Sequence, residues 1–92
     1  MNSRTESMYA KIVFHGKHIA IHHQPIAAGH TDYYAITKNL GGMLGWIRWY
    51  ANWRQYCCFP CEGTIWSVDC LADVSTFTEK LNTDAAKAAK ER

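Results

Sequence analysis

Four cysteines and five histidines are the side chains of this 92-residue chain with the most chemistry to offer. Cys58-Phe59-Pro60-Cys61 has the Cys-x-x-Cys spacing at which two thiolates reach one tetrahedral zinc ion. A closed zinc site needs two further ligands, and Cys57, Cys70 and the His22-His23 pair supply no second pair at that spacing. Thioredoxin-like redox chemistry would need a βαβ pattern around the cysteines, which the sequence lacks. No apolar signal core is visible in MNSRTESMYA, so the thiols are expected to stay reduced and to behave as small hydrophobes. Neither metal nor cofactor is expected.

His15, His18, His22, His23 and His30 crowd the first third of the chain. They could serve as metal ligands or as a pH-sensitive patch. At a turn and on the polar side of a strand, solvated histidine is the ordinary explanation. A cysteine nucleophile with a histidine base would need hydrogen-bond reach and a third orienting group. No such constellation is suggested by the order of residues, and the chain is not expected to be an enzyme.

The second kind of chemistry is recognition. Leu44 to Pro60, LGWIRWYANWRQYCCFP, holds three of the four tryptophans, with Arg48 and Arg54 interleaved among Trp49, Tyr50, Trp53 and Tyr56. Tryptophan, tyrosine and arginine are the side chains enriched at the energetic centres of protein interfaces. The same set could stack bases and hold phosphates in a small single-strand or RNA-binding module. It could also be scaffold, with arginine stems packed over buried rings by cation–π contact. Trp46 is expected in the core in all three cases.

These residues have to be positioned by strands. Trp46, Arg48 and Tyr50 alternate with Ile47 and Trp49, so they face opposite sides of a sheet. If Ala51-Asn52 is a two-residue turn, Trp53, Gln55, Cys57 and Phe59 join the Trp46 side, while Arg54, Tyr56 and Cys58 join the Trp49 side. A longer loop is the competitor, because alanine is poor at the first position of such a turn. In either register large aromatics occupy both faces of the hairpin, and one helix can cover only one face.

Upstream, YAKIVF and HIAIHHQPI flank a turn at His15-Gly16-Lys17, and Ile19 and Ile21 alternate with His18, Ala20 and His22. Pro25 should end that strand or mark an edge. Tyr33 to Thr37 reads as a strand and Asn39-Leu40-Gly41-Gly42 as the turn into the aromatic hairpin. Thr64 to Val68 is a candidate sixth strand. Then the period lengthens: Cys70, Leu71, Val74, Phe77 and Leu81 form one helical stripe, which Ser67 or Asp69 can cap.

The expected organisation is a single domain over 1–92. A flexible arm spans 1–7, an antiparallel sheet 8–68, a helix 69–82 and a frayed or helical tail 83–92. The fold class is α+β, a five- or six-stranded antiparallel meander with one C-terminal helix packed on one face. A formal charge of +2 and a sequence pI near 8.4 are too mild to announce nucleic acid. No apolar run is long enough to span a bilayer, and a cytoplasmic location is expected.

The run Leu44-Gly45-Trp46-Ile47-Arg48-Trp49-Tyr50, followed by Trp53-Arg54-Gln55-Tyr56-Cys57, Phe59-Pro60 and Cys70-Leu71-Ala72-Asp73-Val74, resembles a group of short phage and prophage proteins. The resemblance covers roughly Leu44 to Leu81; Cys58 stands where that pattern usually has phenylalanine, and Cys61 lies outside it. In size and style the chain is also similar to phage anti-CRISPR proteins, including those of type I-F. That resemblance implies a counter-defence protein working in the host cytoplasm. Its partner would be the RNA-guided surveillance complex, through protein subunits and the guide-RNA backbone, with no membrane and no small-molecule substrate involved. Arg48, Arg54, Lys11, Lys17 and Lys38 would meet polar surfaces of that complex and keep target DNA away. A net charge of +2 argues against imitation of duplex DNA.

Overall fold

Alternating hydrophobicity from Lys11 onward produces a five-stranded antiparallel sheet in the order β1-β2-β3-β4-β5. A computed structural model describes residues 11–24 and 32–90. The strands are β1 (Lys11–His15), β2 (Ile19–Gln24), β3 (Tyr33–Lys38), β4 (Met43–Tyr50) and β5 (Gln55–Pro60), and one helix follows, α1 (Val68–Lys90). Each strand pairs with its sequence neighbour, so this is the α+β meander with a C-terminal helix that the short turns predict. The expected arm, Tyr9, Pro25 and His30 lie outside the described residues. Among the described residues no helix is long and apolar enough to cross a membrane.

One reading is corrected: Thr64 to Ser67 forms no strand, and the sheet ends at Pro60. Of the two alternatives for the tail, the helical one is found, α1 continuing past Asn82-Thr83 through DAAKAAK to Lys90, as alanine and lysine are strong helix formers. Asn82 has another use. Its Oδ1 accepts from the Tyr56 backbone N–H at 2.6 Å and its Nδ2 donates to the Tyr56 carbonyl at 3.2 Å. In an antiparallel ladder alternate residues turn their backbone groups away from the partner strand. Cys61 donates to the Leu44 carbonyl at 2.8 Å, which sets that alternation and leaves Tyr56, Cys58 and Pro60 facing outward from β5. Asn82 occupies the first of these positions as a strand would, and Pro60 has no N–H to offer.

The core lies between the sheet and α1. Ile19, Ile21, Tyr34, Ile36 and Ile47 project from one face and meet Cys70 and Val74 of the helix, with Phe14, Tyr56, Trp66, Phe77 and Leu81 packed around them. Ser67 caps the helix, its Oγ accepting from the Cys70 N–H at 3.1 Å. Leu71, expected in the buried stripe, is 54% exposed at its margin. Between β3 and β4 the register shifts, and the extra residue, Leu44, is turned into the core.

Desolvation, reinforced by the negative charges of Asp32, Tyr56 and Asp84, pushes the Tyr34 phenol from 10.0 up to about 12. A raised pKa on a group that is neutral when protonated gives stability that is complete below pH 10 and is lost as pH rises through 12. Two units correspond to about 2–3 kcal/mol. Urea midpoints should therefore fall between about pH 9 and pH 12, and Tyr34→Phe should flatten that fall.

Candidate functional site: an open aromatic sheet face

The β4–β5 hairpin turns through Ala51–Arg54, with Tyr50 paired to Gln55. Of the two turns the sequence allows, the longer loop is thus the one formed, with four residues in place of Ala51-Asn52 alone. The register moves by two residues, an even number, so every strand residue keeps the face that alternation assigns it. Within the loop Trp53 and Arg54 donate backbone N–H bonds to Tyr50 and Ala51, and Arg54 takes a left-handed φ of 54°. That conformation costs a side-chain-bearing residue about 1–2 kcal/mol, whereas glycine adopts it freely at an entropic cost of about 0.5–1. Arg54→Gly is expected to stabilise the fold by about 0.5 kcal/mol, read as a higher urea midpoint.

On the face away from α1, cross-strand pairing assembles Tyr33, Trp46, Phe59, Arg48 and Tyr50 into one patch. Ala35 pairs with Trp46, and Trp46 pairs with Phe59. The Tyr33 and Trp46 rings sit 5.5 Å apart, Tyr50 and Phe59 6.0 Å, and Tyr50 and Trp53 5.1 Å. The Arg48 guanidinium lies 4.3 Å from the Phe59 ring centroid, a cation–π contact that holds a long side chain flat over an aromatic surface. Asn52 donates to the Tyr50 hydroxyl at 3.2 Å. Farther across the sheet His22 and Thr37 share a hydrogen bond of 3.0 Å. No described element covers this face, while the opposite one carries the helix.

Trp46 is therefore corrected from core to open face, where it is half-buried by its neighbours. The candidate partner residues separate into five places. Arg48 and Tyr50 lie on the open face, and Trp53 and Arg54 are exposed in the loop at its end. Trp49 and Tyr56 point to the helix side and pack edge to face at 5.4 Å. Lys11 is on β1 at the far edge, and Lys17 and Lys38 stand at the opposite end of the sheet, where Lys38 is level with Ile19. Tyr33 and Phe59 belong to the patch but were not singled out in the sequence. Their signal was parity alone, and parity becomes a surface only when strand order is known.

The cysteines are all free. Desolvation, with a smaller contribution from Cys57, pushes the Cys58 thiol pKa up, the opposite of what a nucleophilic thiolate requires. Among the described residues no three His, Cys, Asp or Glu side chains are grouped to hold a metal. A cavity of about 900 Å³ lies between β5 and α1, lined by Tyr56, Trp66, Leu71 and Val74, with Glu79 its single charged residue. No family model, curated protein or solved structure matches this chain.

Proposed function

We propose that this protein is a non-enzymatic binding module that acts by occupying a protein partner through its open sheet face. The observation that carries the reading is the continuous Tyr33–Trp46–Phe59–Arg48–Tyr50 surface on a sheet whose other face is already used by the helix. These are hot-spot side chains, rigid and amphipathic, and several lose water readily on contact. Arg48 is the one formal cation among the described residues of that face, and it is committed over Phe59. A groove that tracks a nucleic-acid backbone uses a series of basic residues, which is why a protein partner is favoured over a single-stranded nucleic acid.

The resemblance to short phage proteins supplies the first partner to try, a type I-F RNA-guided surveillance complex whose target-DNA binding would be blocked by occupancy. Purified protein and assembled complex are mixed, separated by size exclusion and assayed for target DNA binding at moderate salt. Co-elution with loss of DNA binding, weakened at least about tenfold by Arg48→Ala, is the expected result. Separate elution removes that partner. Binding to single-stranded nucleic acid that collapses as salt rises would replace the protein-interface reading with the nucleic-acid one.

A further inference from the structure

Lys17 and Lys38 lie away from the open face, and both line a second cavity. Asn39 is the clasp: its Nδ2 donates to the carbonyls of Gly16 at 3.2 Å and Lys17 at 2.9 Å, and its backbone N–H donates to the His18 carbonyl at 2.9 Å. The β1–β2 and β3–β4 turns are thereby joined into one frame. Gly41 and Gly42 hold positive φ of 103° and 107°, which lets the second turn fold back tightly. Between this frame and the start of α1 lies a cavity of about 530 Å³, within the range of small-molecule sites.

The cavity is two-natured. Ile19 and Leu44 line it from the core, while Leu40 and Ile65 form its lips, 101% and 88% exposed. Large aliphatic side chains held so far into water around a recess gain contact only when something fills it. Lys17 and Lys38 line the same space and no acidic residue does. Asp69 in the first turn of α1 is directed to His18, 3.9 Å from its Nε2. The complement of such a site is a molecule with an apolar body and one anionic head.

We propose that this cavity binds a small amphiphilic carboxylate of the medium-chain fatty-acid type. The chain would lie over Ile19 and Leu44 between Leu40 and Ile65, with the carboxylate held by the Lys17 and Lys38 ammonium groups. Such charge-assisted contacts strengthen where water is partly excluded. The site is independent of the open face, at the other end of the strands.

The test is a titration of the full chain, followed by two-dimensional amide NMR, with decanoate below its micelle concentration and with decanol and decyltrimethylammonium as matched probes. Decanoate is expected to shift the amides of Lys17–Ile19, Lys38–Leu44 and Ile65–Cys70, to bind more tightly than decanol, and to weaken by about tenfold in the Lys17→Ala/Lys38→Ala variant. Leu40→Asp, a change on a fully exposed turn, should weaken it as well. Equal affinity for decanol and decanoate, shifts confined to the open face or to the larger cavity, or undiminished binding by a folded lysine variant would overturn the proposal. If the double variant loses its dispersed spectrum, Lys38→Gln and Leu40→Asp decide by the same criterion.

Discussion

Asn82→Ala is expected to destabilise the protein by about 2 kcal/mol and to promote self-association. The side chain satisfies both backbone groups of Tyr56 on the outer edge of β5, at 2.6 and 3.2 Å. Two such bonds contribute about 0.5–1.5 kcal/mol each, and a partly buried donor left without a partner adds its desolvation cost. For a chain of this size that corresponds to a fall of roughly 10 °C in Tm. The second consequence follows from geometry. With Asn82 gone, Tyr56 and Cys58 present consecutive outward N–H and C=O groups, a template for another strand. Denaturation by urea and light scattering across a range of concentrations measure the two effects separately. An unchanged midpoint together with unchanged mass would show that this edge does not depend on Asn82.

Phe77→Ala should cost about 3–4 kcal/mol, while Trp46→Ala should cost about 1 kcal/mol and abolish partner binding. Phe77 lies between Phe14, at 6.2 Å, and Tyr34, at 5.4 Å, and joins the helix to β1 and β3 at the core. Removing it leaves a cavity beneath α1 that the surrounding rings cannot refill. Trp46 has solvent above it and loses chiefly its cross-strand contacts with Tyr33 and Phe59. Paired urea titrations of the two variants give the comparison. A larger loss for Trp46→Ala than for Phe77→Ala would mean that the open face is part of the scaffold, and the binding proposal would lose its centre.

Local patterns account for much of the architecture. Period-two alternation in IAIHH and WIRWY, turn residues at Asn39 to Gly42, and the 3.6-residue stripe from Cys70 to Leu81 were legible because each reflects backbone geometry within one element. The capping by Ser67 is equally local, a hydroxyl three residues before the amide it accepts from. The partition of aromatics between two faces is the same for the two-residue turn and the four-residue loop because the two registers differ by an even number of residues.

What remained illegible depends on residues far apart in the chain. Asn82 looked like the end of a helix, yet its amide reaches a strand 26 residues earlier. Trp46 looked like core because it is large and apolar, but size does not say which face the helix will choose. Ile19, Ile21 and Ile36 make that choice by supplying a better-packed aliphatic surface on the other side. Lys17 and Lys38 were grouped with Arg48 by charge, although strand direction puts them at opposite ends of the sheet. By itself, then, the sequence determined the elements, their faces and the richness of the aromatic hairpin. Only the tertiary structure decided which face stays open and which lysines line one cavity, because both follow from strand order and helix placement, and those are set by the packing of the whole core.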